Sequence, residues 1–180
     1  MPERYEESSA NSFDWYADAD GDLEQGDILL SFRLLLPYAM DDGEIALKAR
    51  DGRGIVLTQT CDVPKPAQRT LLIAEVHDYE DMIQNGRNQH LRESAYKKSL
   101  ARGMAISDFL LPPSPGGQLG WSIVSFRDVF VMPKLMVVSK ATEGTGLRLK
   151  SPYKEYLSQS FARFMMRVGL PTTLSSFEKR

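Results

Sequence analysis

Apolar positions along this chain fall into short blocks separated by turn residues. The first block, Ile28 to Leu36, is almost wholly apolar and follows the turn signal Gly26-Asp27, which predicts a strand. Met40 to Glu44 ("MDDGE") reads as a hairpin turn, Ile45 to Ala49 as a short strand, and Asp51-Gly52 as a second turn. Ile55 to Thr60 alternates, with Ile55, Leu57, Gln59 and Cys61 on one face and Val56, Thr58, Thr60 and Asp62 on the other. Pro64 and Pro66 stop that ladder, since proline has no backbone donor. Thr70 to His77 is a further β-branched and aliphatic run.

Tyr79 to Arg102 changes character: it is polar, rich in long side chains and free of proline, and predicts one or two helices broken near Asn85-Gly86. Apolar character returns at Met104 to Leu111, followed by a loop at "PPSPGG". Trp121 to Ser125 and Val129 to Met132 read as two strands around an Arg127-Asp128 turn pair, with a third strand at Leu135 to Ser139 and a turn at "EGTG" over 143–146. The last block has helical period. Ser151 stands as N-cap, Pro152 at the first helical position and Gly169 at the C-terminal cap before Pro171, with a stripe of Tyr153, Leu157, Phe161, Phe164, Met165 and Val168. Arg163 and Arg167 sit four apart near the helix end that favours positive charge. Many short strands with few helices between them predict a mainly β fold with helical additions (α+β), a compact curled sheet with a mid-chain helical insertion at about 79–102 and a C-terminal helix at about 152–168.

Composition narrows the picture little. The 180 residues suit one domain, here 23–180, behind an acidic, loosely ordered leader at 1–22 that Phe13, Trp15 and Tyr16 anchor to the body. Residues 1–27 hold nine acids against one base, and the remainder carries a net +6. That asymmetry suits a solvated tail, or a tail lying over a basic surface. One cysteine excludes an internal disulfide framework and a cysteine-only metal site. With no signal-like or membrane-length apolar segment, the expectation is a cytoplasmic protein without a membrane partner.

Candidate chemistry is sparse. Cys61 has no base placed beside it by spacing, so it reads as a buried core thiol, with nucleophile as the sharper alternative. Thr58, Gln59, Thr60, Cys61 and Asp62 end an apolar strand as a polar group that either pins the proline loop or lines a binding groove. Arg87, Arg92, Lys97 and Lys98, beside Tyr96, form a basic segment suited to phosphate, or a solvated helix face. Cys61, His77 and His90 match no compact zinc spacing, so neither metal nor cofactor is expected.

The segments "EQGDIL" (24–29), "IVLTQTCD" (55–62), "LPP" (111–113) and "SPYKEYLSQSFARFMMRVGLP" (151–171) resemble an uncharacterised bacterial family over nearly the whole chain. The "GDI" start followed by a hydrophobic strand is, more distantly, similar to the MazF/PemK toxin superfamily. That resemblance implies an SH3-like barrel opened by Asp27, and cleavage of single-stranded RNA by a dimer. The toxins' "RPxxVxS" strand falls on "GRGIVLT", with Thr58 at the Ser/Thr position, Gly52 in place of the arginine and Arg53 in place of the proline. Two functions follow as expectations. One is a non-enzymatic SH3-like binding or accessory module of a toxin–antitoxin-like or defence system, with a protein partner or a homodimer. The other is a metal-independent endoribonuclease, in which Arg53 or Arg127 stabilises phosphoryl charge and Thr58 or Asp62 activates the 2'-hydroxyl.

Overall fold

A computed structural model describes residues 14–86, 89–142 and 146–166, and the side chains of Leu35 and Thr142 lie outside that description. The chain runs β1 (Tyr16–Asp18), β2 (Asp27–Ala39), β3 (Ile45–Val56), β4 (Thr70–Asp78), α1 (Tyr79–Gln84), a 3-10 turn (Gln89–Arg92), α2 (Ser94–Ala101), β5 (Asp108–Leu111), β6 (Ser122–Pro133), α3 (Lys134–Thr142), β7 (Leu147–Leu149) and α4 (Tyr153–Met165). The strands form one antiparallel sheet in the order β1-β7-β2-β3-β4-β6-β5.

The sheet is open, which overturns the expected SH3-like, PemK-like curled barrel. β1 and β5 are its two edges, three and four residues long, and no ladder joins them. The two edges meet instead through the Tyr16 hydroxyl, which donates to the Pro112 carbonyl at 2.6 Å, and through Trp15, which tilts against Phe109 with centroids 6.3 Å apart. Helix α4 fills the space between them. Its Leu157 is fully buried, Phe161 and Phe164 tilt against Phe126, and Tyr153 stacks on Trp15 at 4.0 Å.

Both sheet faces are covered, so the buried strands read as continuous apolar runs. On the α4 face lie Ile28, Ile55, Leu57, Ala74, Val76 and Leu149. On the other, Leu29, Phe32, Leu34, Val56, Leu71 and Ile73 pack with Val137, Val138 and Ala141 of α3. Along β2 the α3 face takes Leu29 and then Phe32, a change of parity produced by the register shift between those two residues. A third, smaller core of Met82, Leu91, Leu100 and Ile123 seats the helical insertion.

Three element predictions are corrected. The turn expected at Asp51-Gly52 is absent, because β3 runs unbroken from Ile45 to Val56. Its glycines serve close packing: a Cβ on Gly54 would lie 2.6 Å from Ile73 Cγ2. The two strands around Arg127-Asp128 are one strand, β6, carrying a bulge. Leu135 to Ser139 is helix, because Pro133 ends the ladder and Val137, Val138 and Ala141 then share one buried face. In α4 the cap position falls on Pro152, and Ser151 donates instead to Glu155 Oε1 at 2.5 Å. Val168, Gly169 and Pro171, with Arg87 and Arg167, lie outside the described residues.

Asp27 opens β2 and is buried, with Oδ1 2.5 Å from Arg148 Nε and Oδ2 2.8 Å from Arg148 Nη2. Arg148 of β7 also reaches Glu24 and the Asp22 carbonyl, so this pair ties the strand start to the preceding loop. Beyond Gly52, β2 and β3 ladder only with each other, and this ribbon exposes Tyr38, Ile45 and Leu47. Among the described residues no helix is long and apolar enough to cross a membrane.

Candidate functional site

β4 is apolar on its α3 face at Leu71 and Ile73, and the next two positions on that face are Glu75 and His77. Both are buried, at 2 % and 8 % exposure. Their surroundings come from the bulge in β6. Ala74 pairs with Val129 and Glu75 with Ser125, so Phe126, Arg127 and Asp128 are extra residues on β6. Phe126 turns into the core, Arg127 is exposed, and Asp128 is delivered to the face of β4. The Asp128 Oδ2 atom lies 3.1 Å from His77 Nε2, and Glu75 Oε1 lies 3.5 Å from His77 Nδ1.

Arg50, on β3, closes the group with a bidentate pair. Its Nη1 and Nη2 donate to Glu75 Oε1 and Oε2 at 2.5 and 2.7 Å. The hydrogen bond to Glu75, followed by attraction to Glu75 and Asp128, holds the guanidinium even more firmly charged than usual. Gly52 packs closely beneath this group, since a Cβ there would stand 3.1 Å from Leu34 Cδ1 and in ordinary contact with Glu75 Oε1 at 3.5 Å.

The quartet floors a solvent-open cleft of about 800 Å³, whose walls include Asp108, Arg127 and His90. Asp108 accepts from the Tyr96 and Ser107 hydroxyls. Burial, then that bond to Asp108, pushes the Tyr96 phenol up to about 12. A smaller cavity of about 250 Å³ shares Arg50, Glu75 and His77 and adds Arg53, Asp78 and Asp81. Arg53 Nη1 is buried with no hydrogen-bond partner among the described residues.

The sequence-predicted residues separate into two places. Arg127 lines the larger cleft and Arg53 the smaller one, whereas Thr58 and Asp62 line neither. The expected Arg–Thr–Asp constellation therefore does not form around either cleft. Thr58 Oγ1 accepts from the Leu72 amide at 2.8 Å, and Thr60 Oγ1 from the Gln25 amide at 3.2 Å. Asp62 pairs with Lys65 at 2.5 Å, and this group therefore pins the β3–β4 connection. Cys61, expected as buried, is exposed, because β3 ends at Val56 and the chain has already turned; its Sγ lies 3.8 Å from Gln59 Oε1. In the basic segment Arg92 donates to the Ile83 carbonyl, Lys97 sits over the Tyr79 ring, and Lys98 is exposed.

Sequence reading missed Arg50, Glu75 and Asp128 as site residues and left His77 unplaced. The available signal was Glu75-Val76-His77 inside an apolar strand, which puts two ionisable groups on one buried face. No protein-family model, no curated protein and no solved structure matches this chain.

Proposed function

We propose that this protein is a binding module whose ligand seat is the polar cleft floored by Arg50, Glu75, His77 and Asp128, and that the ligand presents oxygen acceptors. The observation that carries this reading is the unpartnered Arg53 Nη1 in the adjoining cavity. A buried donor left unsatisfied costs on the order of 1–3 kcal/mol, and more for a charged group. A ligand oxygen relieves that cost once the guanidinium turns to bring the buried Nη1 into the cavity. Charged groups on the floor of an open cleft support the same reading, since well-packed hydrophobic residues there are often neutral or stabilising by comparison. The phosphodiester backbone of single-stranded RNA supplies such acceptors, and a mixed-sequence single-stranded RNA oligonucleotide is the probe. Fluorescence anisotropy is expected to show saturable binding that weakens at least tenfold in Arg53→Gln. Equal binding by wild type and Arg53→Gln, or none by wild type, refutes it.

A second reading is favoured by His77 standing between Glu75 and Asp128 with Arg127 on the same cleft wall. An imidazole held by a carboxylate, with a cation nearby, is the minimum needed for acid–base cleavage of a phosphodiester. Cleavage of the same oligonucleotide, abolished in His77→Ala and retained with chelator, establishes that reading. Intact RNA after prolonged incubation removes it.

A further inference from the structure

The geometry points to a divalent transition-metal site formed by Glu75, His77 and Asp128. One donor atom from each residue lies within 4.8 Å of the other two. A cation held at about 2.0–2.2 Å by nitrogen and oxygen donors brings neighbouring donors to roughly 3 Å from one another. The His77–Asp128 and His77–Glu75 separations of 3.1 and 3.5 Å are already close to that spacing. These two involve opposite ring nitrogens, so metal entry keeps one of them and draws in the other carboxylate. Asp128 is the more accessible carboxylate: its side chain is 47 % exposed and stands on the β6 bulge, whereas Glu75 and His77 are buried in a central strand.

Donor chemistry selects the ion. One imidazole with two carboxylates suits Mn²⁺, Fe²⁺, Co²⁺ or Zn²⁺ over Mg²⁺ and Ca²⁺, which prefer all-oxygen shells. The cleft wall carries Arg50 and Arg127 against Glu75, Asp108 and Asp128, a surplus of one negative charge with the histidines neutral. Arg50 is the internal counter-ion of Glu75, and it opposes a second cation there. Metal binding and the Arg50–Glu75 pair therefore compete.

This inference deepens the binding reading, because a bound cation gives the cleft a second point of attachment for a ligand oxygen. It is tested without any RNA, so the two stand or fall separately. Mn²⁺ titrated into the full chain, with free Mn²⁺ read by electron paramagnetic resonance, is expected to fill one site per chain. Affinity should fall at least tenfold in His77→Ala and in Asp128→Asn, rise at least threefold in Arg50→Gln, and stay unchanged in Asp62→Asn. Should the cleft variants fail to fold, pulsed resonance of the wild-type Mn²⁺ complex gives an independent reading. It should report a coordinated nitrogen that persists in His90→Ala, the chain's only other histidine. No saturable binding, binding unchanged in His77→Ala or Asp128→Asn, unchanged or weaker binding in a folded Arg50→Gln, or a complex without nitrogen coupling overturns the site.

Discussion

Asp27→Ala removes one partner of the ion pair at the start of β2 and leaves Arg148 facing a strand with no carboxylate. The Asp27 side chain is 3 % exposed and that of Arg148 is 16 % exposed, so the orphaned cation stays largely out of water. Breaking a buried pair from one side costs roughly 3–5 kcal/mol. Arg148 retains Glu24 at 3.1 Å and the carbonyls of Asp20 and Asp22, which favours the low end of that range or slightly less. Asp27 Oδ2 also accepts the Glu24 amide at 2.9 Å, and that donor loses its partner too. A loss of about 3 kcal/mol in a chain of this length lowers the melting midpoint by roughly 6–12 °C. Thermal unfolding followed by circular dichroism, with urea titration to check an unchanged slope, measures it. The double variant Asp27→Ala/Arg148→Met should recover part of the loss, because the buried charge goes with its partner. A midpoint within about 2 °C of wild type for Asp27→Ala, with native dichroism intact, refutes the claim that this pair anchors β2.

Gly54→Ala should destabilise by about 1–3 kcal/mol through overpacking, since its Cβ would meet Ile73 Cγ2 at 2.6 Å; a fully additive Gly54→Ala/Ile73→Ala pair in urea titrations would rule out that contact as the cause. Burial pushes the Tyr16 phenol upward and, with the Asp108 bond, holds Tyr96 at about 12, both above the unfolded value. Their stabilising effect is therefore complete below about pH 10 and is lost as pH climbs through the folded values. Tyrosinate absorbance for these two should rise only with or after loss of native dichroism, and simultaneous ionisation of all seven tyrosines near the free value would contradict their burial. Cys61 should react with Ellman's reagent in the native protein nearly as fast as in the unfolded chain, and protection would contradict its exposed position.

Sequence pattern carried the elements whose periodicity is unambiguous. α4 was legible from Tyr153, Leu157, Phe161 and Phe164, and the helical insertion from its polarity and the break at Gly86. What failed had two causes. Asp51-Gly52 and Arg127-Asp128 have turn composition but lie within long strands, because close packing at Gly52 and the bulge after Ser125 require those residues for tertiary reasons. Leu135 to Ser139 is a short apolar run of the kind that periodicity alone does not assign. The cleft was illegible for the same reason: Arg50, Glu75 and Asp128 come together only through strand register, which the one-dimensional pattern does not encode.

Arg50 grows from the base of the β2–β3 ribbon, the part of the sheet with only two strands to hold it. Two-stranded ribbons are marginal in water, so this arm is a place where the native state opens without global unfolding. Only opening that travels from the tip down to this base separates the guanidinium from Glu75. How far such fraying runs toward Arg50 thus decides whether the floor of the cleft keeps its ion pair.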